Sequence, residues 1–331
     1  MRLLSSAKGA ARAPRRSKER FVPHSVLRRF FSSLFLASSL LLAQDSPTFT
    51  SDTRLVVLPI SVSDHSGKLV TNLPQKAFKV FENGAEQPIK IFKREDVPIS
   101  LGIIIDNSGS MREKRQKVET ASMDLVKASN PQDEVFIVNF NDDAWLDVPF
   151  TSDIKKLEDG VAKIDSRGGT AMRDAINLSM DYLKKEGKKK RVLLVITDGN
   201  DNASSISLEK LVNRAQQEEI LVYCIGLLSE EEHREARVAK RALDSLTRES
   251  GGMAFYPKSA AEVDEITLQV AHEIRNQYTI GYTPTIAAMD GSFRQIKVTV
   301  TGPGHPIART RTGYYATPES NNSKKTVSQL H

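Results

Sequence analysis

The stretch LGIIIDNSGSM, residues 101–111, decides how the chain reads. An apolar run ends at one acidic residue, Asp106, and passes into a loop of small polar residues that carries Ser108 and Ser110. A run so free of polar side chains suits a strand covered on both faces, as in a parallel sheet packed between helices. Comparable runs recur at 134–140 (EVFIVNF), 191–198 (RVLLVITD), 220–226 (ILVYCIG) and 253–256 (MAFY), and 144–150 (AWLDVPF) fits an edge strand. Helical patterns separate them at 114–128, 154–164, 171–185, 208–218, 231–249 and 260–277. This alternation predicts a doubly wound, Rossmann-like α/β domain with a mostly parallel sheet over 99–277.

Both flanks have a different texture. Segments 54–63 (RLVVLPISVS) and 77–93 (AFKVFENGAEQPIKIFK) read as strands broken by turn residues such as Asn83-Gly84. Segments 278–282, 293–301 and 308–316 do the same after the α/β domain. Val56, Leu58 and Ile60, like Ile296, Val298 and Val300, alternate as a half-buried antiparallel strand requires. Each flank alone is too small to bury two sheet faces. The expectation is one β-sandwich-like module in which 54–98, within an N-terminal β segment at 44–98, packs with a C-terminal β segment at 278–316, followed by a disordered polar tail at 317–331.

The net charge of +6 invites a nucleic-acid reading, so its location matters. Residues 1–43 hold nine of the 47 bases and one of the 41 acids, and setting them aside leaves a net charge of −2. The basic balance belongs to the leader, which removes the main support for nucleic-acid binding. Arg28-Arg29 precede the apolar run FFSSLFLASSLLLA at 30–43. That run suits a signal-peptide core and is shorter than the ~20 residues of a transmembrane helix. The leader is either a signal peptide cut after Ala43 or an uncleaved signal anchor, and the latter is the only membrane contact expected. Either way the protein would be exported to the periplasm, the cell envelope or the exterior. Cys224, the single cysteine, lies in an apolar strand-like run and reads as a buried thiol.

The residues that carry chemistry sit at strand ends. Asp106 closes one buried run, and Asp198 closes another in VLLVITDG. Between them SRGGT, residues 166–170, presents Thr170 behind a glycine pair. In an open α/β sheet, ligands bind beyond the carboxyl ends of the strands at the topological switch point. Two aspartates there, with Ser108, Ser110 and Thr170, form an all-oxygen donor set suited to a hard divalent cation. The alternative is that Asp106 and the serines only cap the next helix.

IIIDNSGSM…GGT…VITDG resembles the von Willebrand factor A domain, a fold shared with integrin inserted domains. The wider pattern is similar to bacterial exported proteins with a VWFA-related domain. Their loose "DF.V.E.G..Q.I..F" and "QY.LGY…R.I.V.V…R.GY" patterns correspond here to AFKVFENGAEQPIKIF and to QYTIGY, FRQIKVTV and RTRTGYY. The resemblance spans roughly 54–316 and implies a metal-ion-dependent adhesion site. It implies that Ser108 and Ser110 hold Mg²⁺ (or Mn²⁺ or Ca²⁺) directly and Thr170 directly or through water. Asp106 and Asp198 would act largely through water, with an acidic side chain of a protein partner in the open position.

Two other functions compete. The metal could simply stabilise an envelope protein that has no acidic partner. A metal-dependent hydrolase is the other: IIIDNS also resembles haloacid-dehalogenase-type phosphatases, whose second aspartate two positions on serves as acid and base. Here Ser108 stands at that place, which removes the proton-transfer group. No G-x-S-x-G elbow or G-x-x-x-x-G-K-[ST] phosphate loop occurs. The reading is therefore a binding protein without a catalytic residue.

Overall fold

A computed structural model describes residues 55–94, 97–127, 130–161, 166–187, 190–199, 201–228 and 233–317. The leader at 1–43 and all of the expected tail except Thr317 lie outside them. The N-terminal strands are β1 (Val56–Ser63), β2 (Phe78–Glu82), β3 (Ala85–Gln87) and β4 (Ile89–Lys93). Next come β5 (Ile99–Asp106), α1 (Arg115–Lys127), β6 (Glu134–Phe140), β7 (Ala144–Thr151), α2 (Ile154–Val161) and α3 (Met172–Glu186). The α/β part ends with β8 (Lys190–Thr197), α4 (Leu208–Gln217), β9 (Leu221–Gly226), α5 (His233–Ser250), β10 (Ala254–Phe255) and α6 (Ala260–Arg275). The last strands are β11 (Tyr278–Tyr282), β12 (Phe293–Val300), β13 (Ile307–Arg309) and β14 (Gly313–Tyr315).

The central sheet has the order β10-β9-β8-β5-β6-β7 and is parallel except for the edge strand β7. Every residue of β5 is buried. Leu101, Ile103 and Ile105 point into one apolar layer with Val118 and Leu125 of α1 and Val263 and Val270 of α6. Ile104 points into the other, with Phe136, Ile176 and Met180. The period of two thus serves two cores at once. A side chain at Gly102 would put its Cβ 2.3 Å from the Phe136 ring, so the glycine is what lets that ring cross the strand. The chain leaves β5 towards β6 on one side and returns as β8 on the other, which places a switch point at the carboxyl end of β5. Cys224 is fully buried, and burial pushes its thiol well above the usual range. Among the described residues, no helix is long and apolar enough to cross a membrane.

The flanking strands do build one module. Its two four-stranded sheets have the orders β13-β1-β11-β4 and β14-β12-β2-β3, so each mixes strands from before and after the α/β domain. All pairings are antiparallel, with Leu58 opposite Ile280 and Val298 opposite Val80. The segment 308–316, read as one strand, is two. β13 pairs with β1 and β14 with β12, while Thr310–Thr312 turn between sheets. Polar contacts fix that turn: Thr310 Oγ1 donates to Pro59 O at 2.8 Å, and Thr312 bonds Glu249 of α5.

The core of the module explains its sequence pattern. Glu82 is 2% exposed, and its Oε2 accepts hydrogen bonds from the hydroxyls of Tyr282 (2.7 Å) and Tyr314 (3.0 Å). One buried carboxylate therefore joins β2, β11 and β14 across both sheets. Burial first, then Glu82, pushes the Tyr282 phenol up. Glu82→Ala strands two buried hydroxyls and should cost about 2–4 kcal/mol in denaturant unfolding. Glu82→Gln, which keeps an acceptor, should cost less. An alanine variant as stable as the natural chain would show that this carboxylate holds nothing together.

Candidate metal centre

Adjacent parallel strands bring the two aspartates to one place. The β5–β8 register sets Ile105 opposite Ile196. The following residues, Asp106 and Thr197, touch: Thr197 Oγ1 donates to Asp106 Oδ2 at 2.5 Å. Asp106 Oδ1 accepts the Ser108 N–H at 2.8 Å. Asp198, the first residue past β8, has Oδ1 bonded by Ser110 Oγ at 2.9 Å and Oδ2 held by Lys114 Nζ at 2.6 Å. Ser108 Oγ and Ser110 Oγ lie 3.2 Å apart.

The glycine loop supplies the fifth residue. Gly109 N–H donates to Gly168 O at 3.2 Å and ties the two loops together. A Cβ on Gly199, beside Asp198, would lie 3.8 Å from Thr170 Oγ1. Asp106, Ser108, Ser110, Thr170 and Asp198 are thus assembled in one cluster at the carboxyl end of the sheet. Gly168 has φ +76°, and a Cβ there would lie 2.2 Å from Asp142 Oδ2, so no larger residue fits this approach.

Several residues that shape the site give no local sequence signal. Asp142 Oδ1 accepts the Gly169 N–H at 2.7 Å, and Asn202 Oδ1 accepts that of Thr170 at 2.9 Å. Both lie in turns after β6 and β8 and become neighbours of the glycine loop only through the fold. Thr197 directly precedes Asp198 in ITDG, and nothing in that motif singles out its hydroxyl. Lys114 stood in the expected helix, which begins at Arg115 after a 3-10 turn, Gly109–Lys114. Ser108 is the N-cap of that turn but makes no side-chain cap hydrogen bond, so capping does not account for its hydroxyl.

The donor set fits a hard divalent cation. Among the described residues, no three His, Cys, Asp or Glu side chains group around a metal position, so an ion here must draw on hydroxyls. The ammonium of Lys114 already sits on Asp198 as a cation would. Asn107 Oδ1, in the same loop, is a buried acceptor with no partner among the described residues. Asp106, Ser108, Thr170 and Asp198 are buried and Ser110 is exposed, so the cluster opens at Ser110. Site and ion agree in charge and donor type.

Burial raises the Asp106 carboxyl to about 6, against the lowering effect of the Thr197 and Ser108 hydrogen bonds, and the charge of Asp198 raises it further. A carboxyl raised on folding contributes stability that is full below its unfolded value of about 4 and is lost as pH rises through the folded value. In EDTA, the contribution of Asp106 to wild-type stability should therefore decline between about pH 4 and 6, by roughly 1–3 kcal/mol at about 1.4 kcal/mol per tenfold change in proton affinity. Asp106→Asn should flatten that decline and be the more stable protein at neutral pH. Unfolding curves with parallel pH profiles for the two proteins would contradict the assignment.

The von Willebrand factor type A domain model matches residues 101–269. An uncharacterized protein of Borreliella burgdorferi is 30% identical over 157 residues, which cover 43% of this chain. The match spans 46% of that relative, less than half of its length. Among solved structures, the conserved hypothetical protein BatB from Bacteroides thetaiotaomicron is similar at TM-score 0.45 and 20% identity over 53% of this chain and 98% of its own. Proximal thread matrix protein 1 from the mussel byssus, with a zinc-occupied MIDAS motif, is similar at TM-score 0.47 and 15% identity, covering 58% and 49%. A von Willebrand factor type A protein from Catenulispora acidiphila is similar at TM-score 0.45 and 12% identity, covering 83% and 76%. With a match across half its length, centred on the strands and loops just described, this chain belongs to the von Willebrand factor type A domain family.

Proposed function

We propose that the chain binds a protein partner through a divalent cation, Mg²⁺ or else Mn²⁺ or Ca²⁺, held by Asp106, Ser108, Ser110, Thr170 and Asp198. The observation that carries this reading is a cluster of buried oxygen donors that opens to solvent at Ser110 alone of the five. Ser108 and Ser110 would contact the ion directly and Thr170 directly or through water. Asp106, with both oxygens already bonded to Thr197 and Ser108, would act largely through water, as would Asp198. Two carboxylates balance a divalent ion without excess, and uncharged hydroxyls leave it attractive to an outside acid. A partner's Asp or Glu side chain at the open side completes the coordination.

The leader supports an exported protein acting in the cell envelope or outside it, because its apolar core follows two arginines as in a signal sequence. The rival reading, an ion that only stabilises the fold, predicts metal uptake with no metal-dependent partner.

Calorimetry on the full chain should show Mg²⁺ or Mn²⁺ binding that Asp106→Ala abolishes while the circular dichroism spectrum is kept. The sheet, not the ion, buries most of the apolar area, so the fold should survive. Equal metal binding by the variant would refute the site. Immobilised full chain should retain envelope proteins in Mg²⁺ and release them in EDTA, and Asp106→Ala should retain none. Retention unaffected by EDTA would rule out an ion-mediated contact. Fractionation that leaves the full-length protein soluble in the cytoplasm would reject export.

A further inference from the structure

Lys114 has no role in the donor set, yet it makes an ion pair with one of the two aspartates. Its Nζ lies 2.6 Å from Asp198 Oδ2, and the side chains are 26% and 1% exposed. Ser110 takes the other Asp198 oxygen, while Asp106 has both of its oxygens bonded by uncharged donors. Of the four oxygens of the two aspartates, Asp198 Oδ2 is thus the one held by a cation, the kind of charge a divalent ion would bring. The pair also neutralises one of two acids that repel each other in a buried setting.

Resting on the metal-site reading, we infer that Lys114 is a tethered cation that the divalent ion must displace. It sets the metal affinity of the site and, once released, offers a second positive contact to the acidic group of the partner.

The physics follows from charge and linkage. An ammonium and a divalent ion drawn to the same carboxylate repel each other at this range far more than solvent screens. Lys114 ends the 3-10 turn Gly109–Lys114, which also carries Ser110, so it is anchored in the metal loop itself. Its flexible stem and compact, well-hydrated charge allow it to leave for water at low cost, which a bidentate arginine would resist. One quarter of the side chain is already exposed, and Ser110 of the same turn is exposed too. Release therefore carries the positive charge towards the rim an acidic group would approach. Metal uptake and the gain of a cationic rim become a single event.

Titration calorimetry of the full chain with Mg²⁺ tests this in three proteins: wild type, Lys114→Met and Lys114→Arg. The methionine variant, which keeps the stem and loses the charge, should bind Mg²⁺ roughly tenfold tighter or more, as removal of a competing charged partner implies. The arginine variant should bind no tighter than wild type. Equal affinity in wild type and Lys114→Met would overturn the role of Lys114 and leave the metal site standing. Uptake by neither protein would overturn both. Should the methionine variant not fold, acetylation of Lys114 in the wild type, read by mass spectrometry, gives the same answer. Its rate should rise on addition of Mg²⁺ and stay constant in Asp106→Ala, and a wild-type rate unchanged or lowered at saturating Mg²⁺ would refute displacement.

Discussion

The parallel pairing of β5 with β8 is the constraint on which the site depends. Asp106 and Asp198 lie far apart in the chain, and only the register that sets Ile105 opposite Ile196 delivers both carboxylates to one end of the sheet. The same register puts Thr197 beside Asp106, so the buried acid meets a donor at the moment the strands pair. A slip of one residue would turn every apolar side chain of β5 to the wrong layer. The two apolar cores thus enforce the geometry of the polar site.

Burying two acids side by side opposes folding, and the local structure shows how that cost is met. Asp106 draws on a backbone N–H and a threonine hydroxyl, while Asp198 draws on a serine hydroxyl and an ammonium. The glycine loop contributes Thr170, an uncharged donor, to the cluster. Asp142 and Asn202 hold it by its backbone N–H groups, so the position of Thr170 is fixed before any ion arrives. Such contacts would preorganise the proposed metal site and lower the ordering cost of binding an ion there.

What could be read in advance follows the range of the interactions. The alternation of buried runs and helical patterns is local, so the α/β domain and the five residues that cluster at the end of its sheet were legible from 101–111, 166–170 and 191–199. The split of 308–316 was not, because its cause is a docking contact: Thr312 meets Glu249 of α5, which lies 63 residues earlier. Lys114 looked like the first residue of a helix, and only the fold places its ammonium on Asp198. The glutamate and tyrosines of the flanking patterns were visible as residues, but their meeting across two sheets depends on register. Pairwise chemistry between distant residues has no period for a sequence pattern to show.

The opposite end of the central sheet bears on any motion the metal site could drive. β5 spans eight residues, about 25 Å at ~3.3 Å each, and its start adjoins the β-module. There Glu273 of α6, 2% exposed, accepts hydrogen bonds from Ser61 of β1 (2.9 Å) and Tyr223 of β9 (2.8 Å) and pairs with Arg309 of β13. Gln277 Nε2 donates to the same Ser61 and Tyr223 hydroxyls, at 2.8 and 3.1 Å. The end of α6 is therefore clasped to both the sheet and the module. The helix also packs along α1, which follows directly from the metal loop. A route of contact exists from Ser110 to Arg309, but its far end is stiff. Sliding α6 away would leave a buried carboxylate without its guanidinium, which costs about 3–5 kcal/mol. A ligand can shift such an equilibrium only by its difference in affinity for the two arrangements. An ion or partner that moved this helix would have to supply at least that difference, the equivalent of roughly two to four decades in binding constant.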